Sequence, residues 1–231
     1  MGKYKKIKTY IRKKIGLFGV GEFVDDAIAA NTKSNWNSWF SNKRYLEEYV
    51  SKARVKTYIE TIKLCEQAGV TFSTGIIIDV GCGTGHFLNE LKKRHSSINI
   101  VGTDFSEESV KISKSINPDG HFFLMDIFNM PTEQQGIYDF VICSEVLEHL
   151  LHPDVAIGNL LSLVKSEGIL IITVPNGRFD TYGGHINFWS PESWKEFIIK
   201  HIDCSVYKNI VFETFNNNKN NFVLISRNHI S

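Results

Sequence analysis

The stretch Ile76-Ile77-Ile78-Asp79-Val80-Gly81-Cys82-Gly83-Thr84-Gly85-His86-Phe87 constrains this chain more than any other. Ile76, Ile77, Ile78 and Val80 form an apolar, β-branched run, the pattern of a strand covered on both faces. Three glycines at alternate positions then let the backbone turn sharply and approach a ligand closely. A helix follows, and its free N–H groups point at whatever sits on the turn. Strand, glycine turn and helix together predict a nucleotide-type cofactor site at the carboxyl end of a parallel strand.

Downstream of that turn the pattern alternates. Strands are predicted at Ile76–Val80, Ile98–Thr103, Gly120–Met125, Tyr138–Cys143 and Gly168–Val174, with helices between them. Ser106 is a good N-cap for the second of these helices, with Glu107 and Glu108 in its first turn. Helical structure is expected from Glu145, broken at Pro153 and resumed to Val164. Ser190 and Pro191 start a further helix. Residues 205 to 213 and 221 to 227 read as strands joined by an asparagine-rich hairpin loop, so the last two should be antiparallel. The expected fold is α/β, a doubly wound seven-stranded sheet, mostly parallel, closing on an antiparallel C-terminal hairpin.

The N-terminal part reads differently, as a basic and helical extension over residues 1 to 70, with the cofactor domain at 71 to 231. Lys3, Lys5, Lys6, Lys8, Arg12, Lys13 and Lys14 have no opposing acid in residues 1 to 20, while Tyr4, Ile7, Ile11, Ile15 and Phe18 recur near helical spacing. Such a helix either lies on an anionic membrane surface or packs, solvated on one side, against its own domain. Residues 31 to 40 are polar and breaker-rich with Trp36, Trp39 and Phe40 interleaved. They read as a loop that covers a substrate, or as plugs in the helical layer. Residues 43 to 68 read as one long helix stopped at Gly69.

Net charge is +1, which provides no global electrostatic case for nucleic acid. Cys65, Cys82, Cys143 and Cys204 contain no C-x-x-C pair, which argues against a zinc site or a disulfide framework and points to a reducing cytoplasm. No apolar run is as long as a membrane span, and the basic start lacks a signal-peptide core. The glycine turn also disfavours a nicotinamide oxidoreductase. The dinucleotide fingerprint G-x-G-x-x-G wants its third glycine at position 86, where the chain has His86.

Asp79 to Gly85, then Val101-Gly102-Thr103-Asp104, then Leu124-Met125-Asp126-Ile127 fall in the order seen in the class I S-adenosylmethionine-dependent methyltransferases. Residues 70 to 227 resemble that family. The resemblance implies S-adenosyl-L-methionine as cofactor. Gly81, Cys82 and Gly83 would pass under its methionine part, with Asp79 ordering the turn and the cofactor's amino group. Asp104 would accept both ribose hydroxyls and Phe105 flank the adenine. Asp126 and Ile127 would meet the adenine amino group and ring, and Ser144 and Glu145 the methionine end.

A narrower likeness rests on Glu145-Val146-Leu147-Glu148-His149-Leu150, Thr173-Val174-Pro175-Asn176 and Gly184 to Glu192. These segments are similar to ubiquinone-pathway-type and bacterial surface-glycan O-methyltransferases. Small-RNA terminal 2′-O-methyltransferases carry a related pattern that holds a divalent metal, and the matching positions are Glu145, Glu148, His149 and His185. On a helix, residues i, i+3 and i+4 share a face, so the first three can converge, and Mg2+ or Mn2+ is the ion implied. His149 or His185 can equally act as a general base without a metal, or the acid and imidazole groups can cap helix ends. The acceptor expected first is a sugar or glycan hydroxyl, surface polysaccharide or lipid-linked. A small phenol or quinone precursor comes second. RNA, which would need a basic groove, and a catalytically silent cofactor-binding protein remain as alternatives. Location follows as cytoplasmic, with residues 1 to 20 able to touch the inner membrane face.

Overall fold

The computed structural model describes residues 26–228. The basic stretch 1–20, and with it the expected membrane contact, lies outside the described residues. Helix α1 (Lys33–Phe40), α2 (Lys43–Tyr49) and α3 (Lys52–Gln67) precede the sheet. Then come β1 (Ile76–Val80), α4 (His86–Arg94), β2 (Asn99–Asp104), α5 (Glu107–Ile116), β3 (His121–Leu124) and β4 (Tyr138–Ser144). The chain ends with α6 (Pro153–Leu163), β5 (Val164–Pro175), α7 (Pro191–His201), β6 (Asn209–Phe215) and β7 (Asn220–Ser226).

One seven-stranded sheet has the order β3-β2-β1-β4-β5-β7-β6. Strands β1 to β5 pair in parallel, and β7 inserts antiparallel between β5 and β6. The order reverses at β1, which pairs β2 on one side and β4 on the other. Ligands bind at such a switch point, outside the carboxyl ends of the strands. Alternate residues of β1 feed two cores. Ile78 and Val80 join Leu160, Leu170, Ile172 and Trp194 on one face. Ile77 joins Ile62, Cys65, Leu88, Leu91 and Phe122 on the other. Each of these buried aliphatic side chains contributes about 1.5–3 kcal/mol. Ile62 and Cys65 of α3 share that second core, so α3 packs directly against the sheet.

Local chemistry corrects several expected elements. The helix expected over residues 43 to 68 is broken at Val50 and Ser51, because Ser51 is extended and its hydroxyl caps α3 by accepting from the Arg54 N–H at 3.2 Å. The segment read as a loop is helical from Lys33, capped by Thr32. The helix expected from Glu145 is absent. Glu145 is left-handed, with φ 58°, and only a single 3-10 turn, Leu147–His149, follows it. Strand β5 begins at Val164, earlier than the Gly168 expected. The C-terminal hairpin closes through Asn216, Asn217 and Asn218, all left-handed (φ 52°, 56° and 62°), a conformation that asparagine tolerates better than most residues. Among the described residues no helix is long and apolar enough to cross a membrane, and all four cysteines are free.

Candidate active site

A cavity of about 800 Å³ opens over the carboxyl ends of the parallel strands. Asp79, Gly81, Cys82, Gly83, Asp104, Phe105, Asp126, Ile127 and Ser144 all line it. Glu145, Glu148, His149 and His185 line it too, so both sets of residues singled out from the sequence face one space.

The glycine turn is held from below by backbone. Gly81 and Cys82 donate to the Thr103 carbonyl at 2.7 and 2.9 Å. The Ser109 and Ser113 hydroxyls donate to the Gly83 carbonyl at 2.6 and 2.7 Å. Gly81 is at φ +78°, and a Cβ there would stand 2.5 Å from Val146 Cγ2. Above the turn, a Cβ at Gly83 would meet Tyr49 and Phe40 at 3.3 and 3.7 Å, so the aromatic residues of α1 and α2 form the roof.

Two acids sit beneath that roof. Asp104 is buried and accepts from Gly83 N–H at 3.0 Å and Ser106 N–H at 2.9 Å. These bonds fix the carboxylate at the end of β2 with lone pairs left for two hydroxyl donors. Burial raises its pKa, and the N–H groups of Ser106 and Gly83 pull it back in part. Asp79 is 2% exposed, and its carboxyl accepts no hydrogen bond among the described residues. Burial, and then the charge of Asp104, push it up to about 8. Asp126 differs from both. It lies exposed on the rim, and one of its oxygens accepts from Phe128 N–H at 2.9 Å.

The other end of the cavity is built by two loops stitched together. The Glu148 carbonyl accepts from Ile186 N–H at 2.7 Å and Asn187 N–H at 3.0 Å. The Asn187 side chain donates to the Leu147 and Leu150 carbonyls at 3.2 and 2.7 Å. This seam sets the His149 and His185 rings edge to face, 4.6 Å apart. His149 Nε2 and His185 Nε2 stand 3.9 and 3.8 Å from Glu148 Oε1. Ligand atoms of Glu148, His149 and His185 fall within 4.8 Å of one another. Glu145 does not join them. Its left-handed backbone turns the side chain away from the helical face on which the expected four-residue set depended.

This cluster is electrostatically primed. Glu148 Oε2 and His149 Nδ1 are buried without a hydrogen-bond partner, which is costly unless a ligand completes them. Burial, followed by the neighbouring His185, drops the His149 pKa to about 3, so its imidazole is neutral at ordinary pH. Burial, followed by the charge of Glu145, pushes Glu148 well above the usual carboxylate range. One carboxylate and two imidazoles are a donor set that suits a divalent first-row ion.

Three residues unmarked by the sequence reading complete the site. Asp180 Oδ2 lies 2.5 Å from His185 Nδ1. Arg54 of α3 brings a cation to the cavity wall and makes no hydrogen bond or ion pair with its guanidinium among the described residues. Asn220 of β7 donates to both carboxylate oxygens of Glu145 at 3.1 Å. Arg54 had a visible signal, as a lone cation in the otherwise mixed face of a helix preceding the glycine turn. The other two reach the site through loop and strand pairings that leave no periodic mark. Trp36 closes the acceptor end, its ring 5.1 Å from His149 and its Nε1 donating to Asn31, which in turn donates to the Gly184 carbonyl at 2.7 Å.

Comparison with known proteins points to one family. A family described as a methyltransferase domain matches residues 49–207. A ubiquinone biosynthesis O-methyltransferase of Coxiella burnetii (strain RSA 493 / Nine Mile phase I) is 30% identical over 125 residues, covering 52% of each chain. The protein of the same name from Bordetella avium (strain 197N) is 31% identical over 104 residues, 43% of this chain and 42% of its own. The chain therefore matches about half the length of these curated relatives. Among solved structures, the plantazolicin methyltransferase BpumL in complex with SAH superposes with TM-score 0.66 at 16% identity, covering 90% of this chain and 99% of that one. A SAM-dependent methyltransferase from Aquifex aeolicus gives TM-score 0.63 at 14% identity, covering 80% and 97%.

Proposed function

The chain belongs to the methyltransferase-domain family, and we propose that it is an S-adenosylmethionine-dependent methyltransferase that methylates oxygen, specifically a sugar or glycan hydroxyl. The observation that carries the oxygen reading is the convergence of Glu148, His149 and His185 in the cavity that holds the donor turn. A sulfonium methyl already has a good leaving group. What the protein must add is in-line alignment, exclusion of water and handling of the acceptor proton. A neutral amine would need no such cluster.

The residues divide the work. The turn at Gly81 to Gly83 and the Asp104 carboxylate orient the donor. The aromatic roof and Trp36 exclude water. Asp180 accepts from His185 Nδ1–H and leaves the Nε2 lone pair facing the cluster, where it takes the acceptor's hydroxyl proton. As the new C–O bond forms, the methyl–sulfur bond breaks and its electron pair stays on sulfur. Glu148, His149 and His185 would hold a divalent cation, Mg2+ or Mn2+, which when bound polarises the acceptor oxygen as a Lewis acid. The same Nε2 lone pair serves as ligand or as base.

The names of the relatives at 30–31% identity, ubiquinone biosynthesis O-methyltransferases, support a second acceptor, a small phenol on a quinone route. Transfer of labelled methyl to a panel of sugars, catechols and amines decides among these, run with EDTA and with Mn2+ restored. Sugar labelling supports the first reading and catechol labelling the second. Labelling of amines alone overturns both. We also propose that residues 1 to 20, with seven unopposed Lys and Arg among them, bring the enzyme to an anionic membrane face where a lipid-linked glycan is held. Equal flotation of the full chain and of residues 21–231 on anionic vesicles would sink that idea.

A further inference from the structure

The geometry points to Asn220 as a positioning residue for the methyl donor, acting through Glu145. Glu145 is a non-glycine residue at φ 58°, held at the mouth of β4 with its backbone N–H on the Thr173 carbonyl at 2.9 Å. Backbone strain of this kind persists where surrounding contacts over-determine it. Here those contacts converge on the side chain. Asn220 Nδ2 donates to both carboxylate oxygens at 3.1 Å, and Thr173 Oγ1 donates to Oε1 at 3.1 Å.

The amide of Asn220 is itself oriented. Its Oδ1 accepts from Asn216 Nδ2 at 3.0 Å, which leaves Nδ2 facing Glu145. Asn216 in turn is anchored to α3, its N–H donating to Glu60 Oε2 at 3.0 Å and its amide to Thr57 Oγ1 at 3.4 Å. The hairpin thus ties the helix that carries Arg54 to the acid that faces it. Both Glu145 and Arg54 line the cavity, and they are near enough to affect each other's charge.

A fixed carboxylate beside an unengaged guanidinium is the complement of an α-amino acid. The proposal rests on the reading that this cavity takes S-adenosylmethionine. In it, Glu145 accepts from the donor's ammonium and Arg54 takes its carboxylate. Asn220 and Thr173 hold Glu145 to that task and away from the Glu148 cluster. Glu145 then belongs to donor recognition, and Asn220 sets its aim without touching the donor.

The test is calorimetric titration of S-adenosylhomocysteine and of 5′-methylthioadenosine, which keeps the adenosine and thioether but lacks the amino acid. For Asn220→Ala we expect about tenfold weaker S-adenosylhomocysteine binding, the effect of losing a charge-supporting hydrogen bond, with 5′-methylthioadenosine unchanged. Thr173→Val, which leaves the hairpin intact, should show the same selective loss and covers the case in which Asn220→Ala does not fold. Equal weakening of both ligands, or no weakening of either, overturns the proposal. Failure of the unmodified chain to bind S-adenosylhomocysteine overturns the donor reading and this proposal with it.

Discussion

Asp180 Oδ2 and His185 Nδ1 are 2.5 Å apart, with both side chains nearly closed to solvent (7% and 10% exposed). An ionised carboxylate can only accept, so the bond fixes the Nδ1–H tautomer and aims Nε2 at Glu148 and the acceptor. Asp180→Asn keeps the shape but permits the opposite tautomer. We expect methyl transfer to fall by about 10–100-fold with S-adenosylhomocysteine affinity unchanged. Parallel measurement of single-turnover rate and donor binding checks this, and unchanged turnover would remove Asp180 from the mechanism.

Arg54 supplies the cation at the donor's carboxylate end. Arg54→Met keeps much of the stem but removes the charge. S-adenosylhomocysteine should bind about tenfold more weakly or worse, whereas 5′-methylthioadenosine should not respond. KM for the donor should rise far more than kcat falls. A fall in kcat alone would place Arg54 at the acceptor instead.

How far the sequence reached depends on how local each signal is. The β1 turn was legible to the residue, because apolar run, alternate glycines and helix start all lie within Ile76–Phe87. Asp104 and Asp126 were legible as acids ending successive strands. The convergence of Glu145, Glu148 and His149 was argued from helical periodicity, and that argument fails at the left-handed Glu145. Glu148 and His149 meet His185 instead through a non-local seam, the Ile186 and Asn187 amides on the Glu148 carbonyl. Asn220 and Asp180 were invisible for the same reason: their partners are fixed by a hairpin and a loop with no periodicity to read. The aromatic segment at residues 31 to 40 looked like loop because its Asn and Ser disfavour helix. A Thr32 cap and packing of Phe40 and Trp36 over the cavity outweigh that propensity.

Gly81 carries both a backbone and a packing demand. Alanine there would adopt φ +78°, costing about 1–2 kcal/mol, and its Cβ would stand 2.5 Å from Val146 Cγ2. Gly81→Ala should lower stability by about 2 kcal/mol or more and abolish tight donor binding. Adding Val146→Ala removes the clash but not the strain. The double variant should therefore recover part of the stability, read from urea midpoints, and little of the affinity. Full recovery of both would show that only the clash matters.

The stability of the free protein should carry an unusual pH signature, because its buried groups have shifted in opposite senses. Asp79 has a folded pKa raised to about 8, above an unfolded value of about 3.9. Its favourable contribution is fully present below about pH 4 and is lost as pH rises through 8. His149 has a folded pKa lowered to about 3, below an unfolded value of about 6.5. Its contribution is present above pH 6.5 and is lost as pH falls towards 3. Between about pH 4 and 6.5 the two slopes oppose each other. Above about 6.5 the His149 slope is gone, and the Asp79 slope runs at up to about 1.4 kcal/mol per pH unit until 8. The slopes of Glu148, whose carboxyl is held well above the usual range, and of Asp104, which is raised too, run in the same downward sense. Chemical-denaturation midpoints of the ligand-free chain should therefore decline more steeply from pH 6.5 to 8 than from pH 5 to 6.5. Asp79→Asn, which stays neutral, should flatten the decline. If Asp79→Asn leaves the upper limb as steep as before, Asp79 is ionised throughout that range, and the neutral acid beneath the glycine turn is ruled out.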